Sequence, residues 1–257
     1  LLSFIPICAE SGAVGMVIFM EKVIVFDLGG TLMEFEGMPL SWLPYYPQGF
    51  AAVDQALSLG LSQEEIDGSV QILKEYNPRY TPREEEISPE KIFGDAIQHW
   101  KKAVSVEQVI SAFFSGLCLV PRIYEDTLPG LSQLRGKGYN LACLTNLPSG
   151  MPDTVFREGL DGLTEQLDYY LSSGLCGFRK PNEAGMRQIA QRFQVPMEDL
   201  LFVGDEPLDE ETAQRAGCRF IQMNRGGNPA FQSQNGFVKN LGELVGMLDQ
   251  IPLTLPH

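Results

Sequence analysis

The amino-acid sequence predicts an α/β protein, a doubly wound parallel sheet with an α-helical domain inserted near its start. Five short apolar, β-branched or aromatic runs carry the strand signal: VIVFD (23–27), NLACLTN (140–146), DYYLSS (168–173), LLFVGD (200–205) and RFIQMN (219–224). Most are nearly continuous in apolar content rather than alternating, as suits strands of a parallel sheet covered on both faces. Helix-length segments separate the last four runs; in EAGMRQIAQRF, residues Met186, Ile189, Ala190 and Phe193 recur at helical spacing. The interval between the first and second runs is far too long for one crossover and holds several helical patterns.

In chain order, the first nineteen residues, LLSFIPICAESGAVGMVIF, are apolar but broken by Pro6, Glu10 and Gly12. They have neither the basic start of a signal peptide nor the ~20 uninterrupted apolar residues of a membrane span. Residues 1–19 are therefore expected to be an extension outside the fold, with Met20 just before the first strand. Residues 20–35 and 120–257 form the expected core domain, and 36–119 the helical insert. Within the insert, Ser62 with Glu65 and Ser105 with Gln108 have capping-box spacing, and Ser88-Pro89 reads as an N-cap followed by a first-turn proline. PREEEISPEK (82–91) is expected to be a solvated loop and helix start. Trp42, Tyr45, Tyr46 and Trp100 are expected in the insert's own core, with a pocket lining as the alternative.

Composition removes several function classes. The 257 residues carry a net charge of −14, which repels phosphate backbones and argues against nucleic acid or an anionic membrane as the main partner. The five cysteines (Cys8, Cys118, Cys143, Cys176, Cys218) are scattered, with no C-x-x-C pair, so neither a disulfide framework nor a zinc site is expected; a reducing cytoplasm fits. Only His99 and His257 are available for histidine-dependent nucleophilic catalysis.

In an open α/β sheet the ligand site lies outside the carboxyl ends of the strands. Asp27 closes the first run, Thr145 and Asn146 the second, and Asp205 the fourth, while Lys180 follows the third. A carboxylate, a hydroxyl, an ammonium and a second acidic group together suit a dianionic phosphoryl group and a divalent cation.

With these four motifs in order from Met20 to about Arg225, the chain resembles the haloacid dehalogenase superfamily of phosphohydrolases, in the group with a helical cap between the first and second motifs. The resemblance implies that Asp27 attacks phosphorus and forms an aspartyl-phosphate. It implies Mg2+ held by Asp27, Asp205 and the Gly29 carbonyl, with Asp209 orienting the metal's waters or adding to its ligands. Thr145, Asn146, Lys180 and the Gly29-Gly30 backbone would hold the phosphate of a small phosphorylated substrate.

One position departs from the family pattern. Its phosphatases resemble D-x-D-G-T, with the second aspartate as general acid and base, whereas this chain reads Asp27-Leu28-Gly29-Gly30-Thr31. The absent proton donor predicts slow turnover, by roughly 10²- to 10⁴-fold for an alkyl phosphate. Glu34 or Glu36 would be a substitute acid from the flap, or an exposed turn residue. Among other branches, metal-free dehalogenation disagrees with GDEPLD (204–209), and phosphonate cleavage would need a Schiff-base lysine from Lys74, Lys91, Lys101 or Lys102. A non-catalytic binder of phosphorylated ligands is the remaining alternative. A dinucleotide oxidoreductase lacks the G-x-G-x-x-G turn.

Overall fold

The computed structural model describes residues 23–38, 41–226 and 231–250. The stretch 1–19, with Cys8, and the terminal His257 lie outside the described residues. The first strand, β1 (Val23–Phe26), leads through a tight turn to β2 (Met33–Phe35), which pairs antiparallel with β3 (Pro121–Ile123). This two-stranded ribbon is the stem from which the chain leaves for the helices α1 (Tyr46–Leu57), α2 (Gln63–Glu75), α3 (Pro89–Ile97) and α4 (Val106–Gly116), and to which it returns. Beyond the stem, α5 (Thr127–Gly136), β4 (Asn140–Thr145), the short α6 (Asp153–Arg157) and α7 (Asp161–Thr164), and β5 (Tyr169–Ser172) follow. Next come α8 (Ser173–Cys176), α9 (Ala184–Phe193), β6 (Leu200–Gly204), α10 (Pro207–Ala216), β7 (Arg219–Met223), β8 (Phe237–Val238) and α11 (Leu241–Gln250).

Six strands form a parallel sheet in the order β5-β4-β1-β6-β7-β8. The chain builds outward from β1 to β4 and β5 on one side, then returns to β6 on the other, so the carboxyl end of β1 lies at the switch point where such sheets bind ligands. The apolar runs are continuous because both faces are covered. Ile24, Phe26, Leu141, Cys143, Leu201 and Val203 enter one core, while Val23, Val25, Ala142, Leu144, Leu200 and Phe202 enter the other. Alternate residues of a strand point to opposite faces, and here each face meets helices.

The helical insert has its own aromatic centre, with Phe50, Phe93 and Phe113 fully enclosed and their ring centroids 5.0–6.2 Å apart. Its helix starts follow the sequence signals. Ser62 and Glu65 close a complete capping box, Ser88 accepts from the Lys91 amide at 3.2 Å, and Ser105 accepts from that of Gln108. Trp100 is buried in this centre and donates to Ser69 Oγ at 2.9 Å, while Tyr45 donates to the Gly37 carbonyl. The pocket alternative therefore fails for Trp100 and Tyr45 and applies to Trp42, while Tyr46 is buried in the core as expected and also lines the main cavity.

PREEEISPEK is a loop followed by a helix start, exposed at Pro82, Glu85, Ser88, Glu90 and Lys91 as expected, but two of its acids are anchored. Glu86 is enclosed between Arg83 and Arg179 and also accepts from Ser173 Oγ. Glu84 pairs with Arg215 at 2.7 Å and accepts from Asn182 at 3.0 Å, while its carbonyl accepts from the Arg179 amide. These contacts fasten the loop to α8, to the loop after it and to α10. Charge runs read as solvated only when no oppositely charged surface faces them, and here two arginines do.

Candidate active site

Asp27 stands one residue past β1, its amide held by the Val203 carbonyl at 2.9 Å, so the carboxylate projects from the sheet's carboxyl edge. Lys180, from the loop after α8, reaches the same point. Its ammonium bridges Asp27 Oδ1 at 2.5 Å and Asp209 Oδ1 at 2.6 Å, with all three residues buried. Asp209 lies in the first turn of α10, where its other oxygen accepts from the Glu206 amide at 3.0 Å. One carboxylate thus caps a helix and orients the lysine.

Asp205 completes the cluster from the end of β6, and Thr31 Oγ1 donates to its Oδ1 at 3.3 Å. One carboxylate oxygen from each of Asp27, Asp205 and Asp209 lies within 4.8 Å of the others. Burial pushes the Asp27 carboxyl up to about 7, against the pull of Lys180 and with the help of Asp209. Burial and the charges of Asp27 and Asp209 likewise raise Asp205 well above the usual carboxylate range. For Lys180 burial acts downward, but the two carboxylates outweigh it and hold the ammonium charged. Three acidic groups against one lysine leave a surplus of carboxyl groups, with Asp27 and Asp209 buried and Asp205 partly so. Oxygen donors at this spacing, with that surplus, fit a hard divalent cation such as Mg2+.

A cavity of about 720 Å³ opens over the cluster. Asp27, Gly29, Gly30, Thr145, Asn146, Lys180 and Asp209 all line it, whereas Asp205 is not among the lining residues and joins the group through the closeness of its carboxylate to those of Asp27 and Asp209. Details differ in two places. The Gly30 amide donates to the Met33 carbonyl at 2.8 Å, so it closes the turn and is not free for phosphate. The Asn146 amide is occupied at both ends, accepting from the Lys180 amide at 2.9 Å and donating to the Lys180 carbonyl at 3.2 Å; its side chain clamps the loop that carries the lysine. The glycine pair is unequal. Gly30 has φ +77°, and a Cβ there would stand 2.2 Å from Asp205 Oδ2, whereas a Cβ on Gly29 would meet nothing within 4 Å.

Sequence reasoning missed the outer wall. Arg79 of the helical insert pairs with Glu206 at 2.6 Å across the cavity, and Arg179 pairs with Glu86 while donating to the Leu147 carbonyl. Glu206 and Arg179 sit beside recognisable signals, next to Asp205 and Lys180 respectively, but their partners Arg79 and Glu86 are remote in sequence. Glu34 also lines the cavity, yet Arg122 and the Tyr124 hydroxyl hold its carboxylate and keep it below its ordinary range. Glu36 is exposed and is not among the residues that line the cavity.

The description of haloacid dehalogenase-like hydrolases matches residues 21–217. The chain belongs to the haloacid dehalogenase-like hydrolase family. Among curated relatives of this hydrolase, the phosphoglycolate phosphatase of Rhodospirillum rubrum is 33% identical over 104 residues, 40% of this chain and 42% of that protein. The glyceraldehyde 3-phosphate phosphatase of Methanopyrus kandleri is 26% identical over 80% of this chain and 85% of that one. The phosphoserine phosphatase of Thermus thermophilus is 33% identical over 54% and 56%. The match thus spans about half the length of most of these relatives. Among solved structures, the family fold recurs in the 2-haloacid dehalogenase of Pseudomonas syringae pv. Tomato (TM-score 0.64, 23% identity, 90% of this chain and 99% of that one). It recurs also in the HAD phosphatase of Thermococcus onnurineus (TM-score 0.60, 20% identity, 88% and 97%). No helix among the described residues of this hydrolase is long and apolar enough to cross a membrane.

Proposed function

We propose that this chain is a Mg2+-dependent phosphohydrolase that moves a phosphoryl group from a small phosphorylated metabolite to Asp27 and then to water, slowly where the leaving group needs a proton. The observation that carries this reading is the Lys180 ammonium held between Asp27 and Asp209, which line the cavity and form a three-carboxylate cluster with Asp205. The curated relatives are named as phosphatases of small phosphorylated compounds, which agrees with it.

In this mechanism Asp27 is the nucleophile, and its ionised form is favoured by Lys180. Asp205, Asp27, the Gly29 carbonyl and Asp209, directly or through water, would hold the cation, whose chemistry is to neutralise the phosphoryl oxygens as charge builds there. Thr145 and Lys180 supply donors to those oxygens. Attack forms a covalent aspartyl-phosphate, and water then cleaves its P–O bond and regenerates the carboxylate. Helices α1–α4 act as a cap over the cavity, with the Arg79–Glu206 pair spanning its mouth, and exclude bulk water around the intermediate. Gly29 leaves the departing oxygen without a proton donor.

Gly29 also favours the second reading, a binder that retains the pocket without turnover. Phosphonate cleavage loses support, because Lys180 is the one lysine lining the cavity among the described residues and Lys91, for instance, pairs with Asp95. Acetyl phosphate and p-nitrophenyl phosphate, assayed with Mg2+ or EDTA, decide between hydrolase and binder. Turnover that disappears in EDTA and in Asp27→Asn is expected; stabilisation by phosphate with no turnover of either compound would establish the binder.

A further inference from the structure

Resting on the phosphoryl-transfer reading, we propose that the substrates are aryl phosphate monoesters whose ring is seated against Phe35, Trp42 and Phe156. Two independent features meet in this assignment, one chemical and one of shape.

The chemical feature is Gly29. With no proton donor beside the departing oxygen, the rate depends on how well that oxygen carries the electron pair of the broken P–O bond. A phenol such as tyrosine's ionises near 10, whereas water and simple alcohols lie near 16, so a phenolate leaves without help where an alkoxide does not. The feature of shape is the cavity wall. Phe35 stands edge-on to Trp42 at 5.6 Å and to Phe156 at 5.8 Å, and all three line the cavity that contains Asp27 and Lys180. Met33 and Met38 also line the cavity. At about 720 Å³ the space exceeds what a phosphate with a few carbon atoms fills, and edge-to-face packing is available to an added ring.

The polar side of the cavity argues against a small carboxylate on the substrate. Arg79 and Arg179 are the cavity's arginines, and Glu206 and Glu86 already neutralise them. An acyl phosphate shares the good leaving group but would leave the aromatic wall uncovered. In the proposed reaction the Asp27 carboxylate forms a bond to phosphorus while the P–O(aryl) bond breaks, its electron pair departing on the phenolate, which takes a proton from solvent. Water then attacks the phosphorus of the aspartyl-phosphate. The Asp27 carboxylate leaves, and the water's proton goes to the released phosphate or to solvent.

The test compares phenyl phosphate with glycerol 2-phosphate in turnover, and phenylphosphonate with methylphosphonate in binding to the Mg2+-loaded full chain by calorimetry. Phenyl phosphate is expected to exceed the alkyl ester by at least ~10²-fold in kcat/KM, and phenylphosphonate to bind about tenfold or more tighter than its methyl analogue. Trp42→Ala and Phe156→Leu are expected to lower that binding ratio about tenfold. Equal binding of the two phosphonates by the unaltered chain overturns the aryl assignment even if both variants fail to fold. Turnover of acetyl phosphate without aryl preference removes this proposal alone, whereas no turnover of any of these compounds removes the hydrolase reading as well.

Discussion

Replacing Gly29 by Asp should restore a proton donor, and the structure says that the change is sterically open. A Cβ at this position meets no atom within 4 Å, and Gly29 is not among the residues with positive φ. A side chain therefore costs no backbone strain and loses some freedom only in the unfolded chain, an effect of about 0.4–1 kcal/mol in favour of the native state. General acid catalysis contributes typically ~10²–10⁴-fold, or about 3–5 kcal/mol of barrier. That gain should appear where the leaving group is poor. Steady-state kinetics with glycerol 2-phosphate, phenyl phosphate and acetyl phosphate would show kcat rising ~10²-fold or more for the alkyl ester and less than about tenfold for acetyl phosphate. The dependence of rate on leaving-group basicity should flatten in parallel. Circular dichroism and a Mg2+ titration would establish that fold and metal affinity are intact. An equal gain for all three substrates, or no gain in a folded, metal-binding variant, would refute the reasoning that Gly29 limits turnover.

Three further outcomes follow from the same geometry. Lys180→Met should remove activity and destabilise the protein by about 3–5 kcal/mol, because Asp27 and Asp209 lose the cation between them while staying buried; thermal unfolding near pH 8 would measure it. Gly30→Ala should cost roughly 1–2 kcal/mol for its left-handed backbone and weaken Mg2+ binding, since the new Cβ stands 2.2 Å from Asp205 Oδ2; calorimetry with Mg2+ alone would check it. Metal-free protein should lose stability as pH rises, because burial lifts Asp27 from 3.8 to about 7 and the native state holds a proton that the unfolded chain has released. The contribution is full below the unfolded value and lost as pH passes the native one. Melting temperatures in EDTA should fall between about pH 4 and about pH 7, and Mg2+ should stabilise more at the upper end.

Much of this fold can be read from local pattern. The five apolar runs became strands within a residue or so of their expected limits, and Ser62, Ser88 and Ser105 start helices as their neighbours demand. Strand alternation and helix capping depend on a few consecutive residues, so one sequence carries them openly. The convergence of Asp27, Thr145, Lys180 and Asp205 was legible for a related reason: residues ending parallel strands share one edge of the sheet. The state of each side chain was not legible. PREEEISPEK has the composition of a solvated loop, and only the approach of Arg179, far along the chain, makes Glu86 an anchor. Asn146 has the chemistry of a phosphate donor, but the Lys180 peptide occupies both ends of its amide.

The sequence by itself determined the strand and helix pattern, the acidic chemistry at the strand ends and the absence of a carboxylate at position 29. Tertiary structure decided that one lysine stands between two aspartates, that the cavity's arginines are already paired, and that three aromatic rings line the space above them. Backbone pattern is set by neighbours along the chain, whereas charge pairing and cavity shape depend on distances between elements, which exist only once the sheet and the helices have packed.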